Sequence, residues 1–174
     1  MNEDQRLRAN MQALSQLVGK WRGTGRGEFP TIQPFRYEEE LTIQGNGVDT
    51  YLFYEQRTWR LDQRGEPSAP LHWETGFMRA LPEGVEIANA QNGHRVEVLQ
   101  GAIDDAALRR GVLQMALTST LLGNDPRMVR TRREFYVQGD RLKYQVAMAT
   151  TKVPALHPHL EATLERTAWF EQFR

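Results

Sequence analysis

Cysteine is absent from the 174-residue chain. Without thiols the chain forms no disulfide, and thiolate catalysis, cysteine-type zinc sites, iron–sulfur clusters and thiolate-ligated heme are all excluded. An excess of one charge is absent too, because 22 basic residues balance 22 acidic ones. Nucleic-acid binding normally requires a basic surface. We therefore expect no nucleic-acid partner.

Long apolar runs are also missing. Residues 1–20 are charged and polar and lack the apolar region of a signal peptide, and no apolar run reaches the roughly 18 residues of a membrane span. We expect a cytoplasmic protein with no membrane partner. The length is typical of one domain, so residues 1–174 are predicted to form a single domain with its own core.

The most distinctive stretch of the chain alternates glycine with other residues. Successive side chains of a β-strand point to opposite faces, so Gly19, Trp21, Gly23, Gly25 and Gly27 share one face. Glycine inside a strand marks a bend or a close approach. We predict the first strand of a small closed barrel, with Trp21 plugging one end and open space along the rest. No Lys-Ser/Thr pair follows, so the stretch is not a phosphate-binding loop.

Two periodicities organise the chain. Residues 2–18 repeat apolar side chains at helical spacing, which predicts an N-terminal amphipathic helix that packs against a barrel or plugs one end of it. Short alternating runs follow, separated by turn signals such as Asn46-Gly47. They predict an all-β fold over residues 19–173, an antiparallel up-and-down β-barrel of about ten strands, which commonly encloses one small apolar ligand. After the glycine-containing strand, the predicted strands span residues 35–44, 51–61, 71–79, 84–90, 95–103, 111–121, 128–137, 141–150 and 161–173.

Few residues of the chain are of the types that usually form catalytic or metal-binding sites. The chain has four histidines, His72, His94, His157 and His159. A single histidine is more often a hydrogen-bonded or exposed residue than a ligand. His157 and His159 form a closely spaced pair, but no third ligand stands at a recognisable spacing, which disfavours a zinc site.

The segment that contains His159 is the more informative one. Pro154 and Pro158 stiffen the connection between the last two predicted strands, and a rigid loop at a barrel mouth holds an imidazole in a fixed orientation. The simpler interpretation is a proline-rich connector. Elsewhere, no Gly-x-Ser-x-Gly motif indicates serine catalysis. In the acidic run 38–40, alternation places Glu39 opposite its neighbours, so we interpret the run as a solvated rim and not a catalytic pair.

A series of further motifs runs in order from about residue 14 to residue 166. It comprises Gly19-x-Trp21-x-Gly23-x-Gly25-x-Gly27, Phe29-Pro30-Thr31-Ile32, Phe35-Arg36-Tyr37-x-Glu39-Glu40, Gln56-x-Thr58-Trp59, Leu71-His72-x-Glu74-Thr75-Gly76-Phe77-x-Arg79, Ala90-Gln91, Val96-Glu97-Val98, Met148-x-Thr150-Thr151 and Pro158-His159-Leu160. In this series the chain resembles the nitrobindin family. Nitrobindins are heme-binding β-barrels of the calycin type, related in shape to fatty-acid-binding proteins.

The resemblance implies a site and an activity. It implies one ferric heme b per chain, with His159 as the axial ligand of the iron, and binding of nitric oxide and conversion of peroxynitrite to nitrate. It places His72, Met148, Gln91 and Thr31 in the heme-binding site. The open coordination position opposite a single imidazole suits a small ligand. The chain departs from the family pattern at residues 92–95, which replace a Thr-Gly pair, and at residues 154–156, where the connection before the axial histidine is one residue longer.

Two other functions stay open at this stage. A barrel of this kind also suits a non-enzymatic carrier of a lipid or another small apolar molecule. A degenerate barrel that no longer binds heme would serve as an interaction module. The resemblance further implies pairing of two chains as a homodimer, whereas composition does not decide the oligomeric state.

Overall fold

The chain begins with a helix that covers one end of the molecule. A computed structural model of the chain describes residues 1–45 and 50–170. Helix α1 (Glu3–Leu14) starts at a capping box between Asn2 and Gln5 and continues into a short 3₁₀ turn that ends at Leu17. The Asn10 side-chain amide donates a hydrogen bond to the backbone carbonyl of Leu81, at a distance of 2.7 Å. The predicted N-terminal helix is thus present and is fixed to the barrel end.

Ten antiparallel strands form a closed barrel after this helix. Each strand pairs with its sequence neighbours, and β1 pairs with β10 to close the ring. The predicted all-β barrel is therefore confirmed. A short helix, α2 (Asp105–Leu108), which the sequence pattern did not predict, connects β6 and β7. The strands are β1 (Gly19–Phe29), β2 (Ile32–Gln44), β3 (Tyr51–Leu61), β4 (Pro67–Leu81), β5 (Gly84–Gln91), β6 (Val96–Ile103), β7 (Leu113–Gly123), β8 (Met128–Gln138), β9 (Arg141–Thr150) and β10 (His157–Ala168).

Three strands begin earlier than predicted, and each of them has proline near its start. Pro34 lies in β2, β4 begins at Pro67, and Pro158 lies in β10. Pairing shifts register beside the last two, where the ladder tolerates a residue without a backbone N–H. The predicted Asn46-Gly47 turn and the predicted strand residues 171–173 lie outside the described residues.

The glycine row of β1 is not lined by open space, which corrects that prediction. A Cβ added at Gly25 would lie 2.2 Å from the Tyr37 ring, and one added at Gly27 would lie 2.2 Å from the Phe35 ring. Both rings come from β2, which pairs with β1. The glycines therefore make room for aromatic side chains that cross over β1. Trp21 is fully buried at the helix-covered end, as predicted for a plug.

An apolar core fills the end of the barrel beneath α1. The Trp21 indole Nε1 donates a hydrogen bond to the Leu17 carbonyl oxygen at 2.8 Å, so the ring is held against the helix. Because the strands are antiparallel, the opposite end carries the ends of β1 and β9 and the start of β10, and it is there that the interior stays open. No helix within the described residues combines the length and the apolar character needed to cross a membrane. Fully buried core side chains include Leu14, Leu17, Val18, Trp21, Ile43, Leu52, Val85, Ile87, Leu99, Leu113, Leu117, Val137, Leu142 and Leu164.

Candidate functional site

A cavity of about 230 Å³ opens at the end of the barrel that α1 leaves uncovered. Sites that enclose a ligand usually measure roughly 300–1,000 Å³, so a larger ligand keeps part of its surface outside this barrel. The wall combines apolar side chains with a few polar ones. The lining residues are Phe35, Tyr37, Leu41, Tyr54, Gln56, Thr58, Leu71, His72, Glu74, Met78, Ile87, Arg95, Thr131, Arg133, Phe135, Tyr144, Val146, Met148, His159 and Leu160.

His159 lies in strand β10, not in the preceding loop, which corrects the prediction of a loop-held imidazole. Pro158 pairs with Ala147 and Leu160 pairs with Val146, so His159 is the extra residue of a β-bulge. A bulge redirects one side chain away from the regular alternation of a strand. The longer connection ends before β10 begins. The position of His159 is therefore set by strand pairing on both sides of it.

The hydrogen bonding of His159 fixes its tautomer. Its Nδ1 lies 3.1 Å from the backbone carbonyl oxygen of Glu28. A carbonyl only accepts, so Nδ1 carries the hydrogen and Nε2 keeps its lone pair. Burial lowers the pKa of His159, which favours the neutral imidazole. The Phe29 ring packs edge-on at 5.9 Å. This is the arrangement in which a histidine binds a metal through Nε2 while a second group orients the ring.

Two of the other four predicted site residues line the same cavity as His159. His72 projects from β4, with its Nε2 3.4 Å from a Glu74 carboxylate oxygen, and Met148 projects from β9. Gln91 is buried at the end of β5, where its amide donates to the Asn89 side chain at 3.2 Å. It is not part of the cavity wall.

Thr31 lies apart from the other predicted site residues. It occupies the turn between β1 and β2 and its side chain is exposed. It is not part of the cavity wall either. The structure therefore gathers His159, His72 and Met148 at the cavity, but neither Gln91 nor Thr31.

Glu39 is completely buried, so its interpretation as part of a solvated rim is wrong. As expected, alternation places it on the face of β2 opposite its neighbours, and that face turns out to be the barrel interior. Its carboxylate accepts hydrogen bonds from the Tyr144 hydroxyl at 2.5 Å and from the Gln56 amide at 2.7 Å. The Tyr37 hydroxyl lies 2.9 Å from that of Tyr144. Burial raises the pKa of Glu39 to about 7 even though these donors act in the opposite direction.

A second polar cluster crosses the barrel beside the first. Arg133 donates to both oxygens of Glu74, at 2.6 and 2.8 Å, and to Glu97 at 2.6 Å. Tyr54 donates to Glu74 at 2.5 Å, and Thr131 donates to Glu97. Burial alone would raise the pKa of Glu74, but the Arg133 charge and its hydrogen bonds hold that pKa far below its usual range. The two clusters form a polar layer between the apolar core and the cavity mouth.

Sequence reasoning did not identify the polar layer or Arg95. Alternating polar residues in a strand usually indicate a solvent-facing surface, and nothing in the sequence shows that β2, β4 and β8 turn such residues inward. Arg95 precedes β6 in the segment 92–95 that departs from the family pattern, and its side chain reaches the cavity wall. The signal in the sequence is that Arg95 and Glu97 are two residues apart, so that their side chains point to the same face. Once Glu97 is known to be buried, this spacing indicates that Arg95 points inward as well.

Comparison with known protein families identifies the barrel. A family model described as "THAP4-like, heme-binding beta-barrel domain" matches residues 10–166. The chain belongs to this heme-binding barrel family. The nitrobindin resemblance inferred from the sequence motifs is thereby confirmed.

Relatives of this heme-binding barrel are similar over nearly their whole length. The chain is 40% identical over 156 residues to a peroxynitrite isomerase of Arabidopsis thaliana, covering 88% of this chain and 86% of the relative. It is 35% identical over 164 residues to a peroxynitrite isomerase of Nocardia farcinica, covering 92% of each. The crystal structure of Rv2717c from M. tuberculosis matches with a TM-score of 0.78 and 31% identity, over 91% of this chain and 97% of that one.

The residues present at the cavity fit a heme. His159 offers an unprotonated Nε2 on the wall, held by a carbonyl that fixes the tautomer. The cavity is open at its mouth, so a planar group too large for the interior alone would extend beyond it. Apolar side chains of Phe35, Leu71 and Leu160 on the wall suit a porphyrin face.

Proposed function

We propose that this heme-binding barrel holds one heme b per chain through His159 and converts peroxynitrite to nitrate, with nitric oxide as a further small ligand. The observation that carries the proposal is that His159 lines the cavity with its Nδ1 bonded to the Glu28 carbonyl, which leaves the lone pair on Nε2, and that burial favours its neutral form. The relatives' names, peroxynitrite isomerase, support the reaction. The homodimer and the cytoplasmic location stay predictions.

The chain's own residues would bind and orient the cofactor and leave the reaction to it. When bound, the heme supplies a Lewis-acid iron at which peroxynitrite rearranges to nitrate. His159 would hold the heme through Nε2, which is available because the Glu28 carbonyl keeps the proton on Nδ1. Isomerisation leaves the atoms of the substrate unchanged in number, so it requires no net proton transfer from a side chain.

His72 and Met148 would shape the space for the small ligand. His72 projects from β4, which lies across the ring of strands from β10, and its neighbour Glu74 belongs to the polar layer. Met148 on β9 adds an apolar, polarisable surface at the mouth. These side chains line the cavity without closing it.

The structure favours heme binding over lipid carriage. A heme iron needs a nitrogen ligand at the cavity, which His159 offers through Nε2, whereas a fatty acid has no use for one. The family model that matches the chain describes a heme-binding barrel. His159 keeps the geometry of a ligand, which a degenerate barrel would have no reason to retain.

Peroxynitrite kinetics test the proposed activity. Stopped-flow absorbance of peroxynitrite decay, together with the yield of nitrate, is measured for the hemin-loaded protein, the apo protein and His159→Ala treated with hemin. We expect the decay rate to rise in proportion to the concentration of loaded wild-type protein, with nitrate as the product. A rate equal to that of the apo protein would contradict the isomerase activity. Lipid extraction and mass spectrometry of the purified protein would then test the carrier.

A further inference from the structure

Three arginines of the barrel have a buried Nε atom without a hydrogen-bond partner: Arg57, Arg95 and Arg133. Two of them use the rest of the guanidinium. Arg57 pairs with a carboxylate at 3.0 Å and lies over an indole ring, and Arg133 holds two carboxylates. Among the described residues, the Arg95 guanidinium has neither a hydrogen bond nor an ion pair. It is therefore a partly buried cation whose donors are unused.

The position of Arg95 places this unused cation at the cavity. The backbone N–H of Gln91 donates to the backbone carbonyl of Arg95 at 2.9 Å, which closes the turn between β5 and β6. The Arg95 side chain shares the inward direction of Glu97 and reaches the cavity wall. In the ring of ten strands β6 stands four places from β10, so Arg95 and His159 belong to different sides of the barrel.

The Arg95 guanidinium loses hydration through burial, and no hydrogen-bond or ion-pair partner among the described residues compensates for that loss. Burial lowers its pKa, and the carboxylates of Glu97, Glu74 and Asp125 act on it only at a distance. The first two are already bound to Arg133, and Asp125 is bound to Arg127. A cation in this situation is stabilised when an anion enters and accepts its hydrogen bonds.

We propose that Arg95 binds an oxyanion at the cavity mouth, either a carboxylate of the bound heme or the anionic oxygen of a small ligand. This inference rests on the proposed function, since both anions arrive with the heme site. Arginine suits the role because its planar fork matches a carboxylate or a similar planar oxyanion. An anion that moved deeper would meet the paired carboxylates of Glu74 and Glu97. The anion therefore binds at the mouth, where it reaches Arg95 without approaching those carboxylates.

The first arm of the test distinguishes a heme carboxylate. Apo protein is titrated with hemin and with hemin dimethyl ester, in which both carboxylates are esterified, and the Soret absorbance is followed. If Arg95 binds a heme carboxylate, Arg95→Gln weakens hemin binding by roughly tenfold or more, the size of one charge-assisted hydrogen bond, and leaves the ester unaffected. Arg95→Lys keeps the charge and restores part of the affinity. Arg130→Gln removes an exposed arginine on β8 and serves as the matched control.

The second arm distinguishes a small anionic ligand. The hemin-loaded proteins are titrated with fluoride, which is anionic, and with imidazole, which is neutral. If Arg95 attracts an anion bound near the iron, Arg95→Gln weakens fluoride by roughly tenfold and leaves imidazole unchanged. Either arm alone would support the proposal and would identify its source.

The outcomes separate this inference from the proposed function. If Arg95→Gln matches wild type in both arms, or weakens charged and neutral ligands equally, the role of Arg95 is overturned while heme binding stands. If the wild-type protein takes up no hemin in a His159-dependent way, the proposed function and this inference fall together. Circular dichroism of each variant shows whether the barrel is folded.

Discussion

Replacing Glu39 by glutamine should change how the stability of the barrel depends on pH. The carboxyl group is completely buried and accepts hydrogen bonds from Tyr144 and Gln56. Glutamine has nearly the same shape and still offers an oxygen to the tyrosine, and the Gln56 amide can turn to present its own oxygen. The substitution therefore removes the titration while preserving most of the packing.

The magnitude follows from the shift of one pKa. Burial raises the pKa of Glu39 from 4.5 to about 7, so the folded state keeps the proton to a higher pH than the unfolded state. The contribution of the protonated group is fully present below pH 4.5 and is lost as the pH rises to about 7. A difference of about 2.5 units corresponds to about 3 kcal/mol of unfolding free energy. As the pH rises from 4.5 to 8, the unfolding free energy of wild type should fall by this amount relative to that of Glu39→Gln. The variant should therefore be the more stable protein at pH 8.

Urea unfolding followed by tryptophan fluorescence measures the effect at several pH values from 4.5 to 8.5. The quantity of interest is the free energy of unfolding of Glu39→Gln minus that of wild type, because titrations common to both proteins cancel. We expect this difference to rise by about 3 kcal/mol across the range. Glu40→Gln, on the outward face of the same strand, is the control and should follow wild type. A difference that stays constant with pH would refute the reasoning.

Two further substitutions test the packing and the polar layer. Trp21→Ala should lower the unfolding free energy by roughly 3–5 kcal/mol, because it empties a fully buried site beneath α1; urea unfolding at pH 7 measures it, and a loss near zero would mean that Trp21 does not plug the barrel. Arg133→Met should cost roughly 3–5 kcal/mol, because it leaves two buried carboxylates without their cation. Arg26→Met, which breaks only the exposed pair with Glu161, is its control and should cost less than about 1 kcal/mol; equal losses for the two arginine variants would contradict the assignment of the buried cluster.

Sequence periodicity predicted the barrel well where the strands alternate and turns separate them. It failed at proline. The pattern treated Pro67 and Pro158 as parts of loops, because proline cannot donate to a strand ladder. In the barrel both residues lie beside shifts of register, where the missing N–H is tolerated. For the same reason the sequence pattern placed His159 in a loop, whereas it lies in a bulge within β10.

The structure brings three of the five predicted site residues to one cavity and leaves Gln91 and Thr31 outside its wall. The family motif places His159, His72 and Met148 there, and their roles toward heme stay a proposal. The buried charges of Arg133 and Glu39 were not predictable from local patterns. Their burial depends on which face of each strand turns inward, and on partners that stand far away in sequence.

Arg95 shows why a departure from a family pattern is informative. From the sequence, residues 92–95 appeared only as a different rim. The structure shows that the difference brings an unpaired guanidinium to the cavity wall. The chemical consequence depends on the absence of a nearby carboxylate partner, which is a property of the folded chain.

A hemin titration of the apo protein tests the central claim most directly. Wild type, His159→Ala and His157→Ala are compared by Soret absorbance, with the exposed neighbour His157 as the matched control. We predict a sharp Soret band that saturates at one heme per chain in wild type and in His157→Ala, and loss of that band in His159→Ala. Equal hemin affinity in wild type and His159→Ala would contradict the assignment of His159 as the axial ligand.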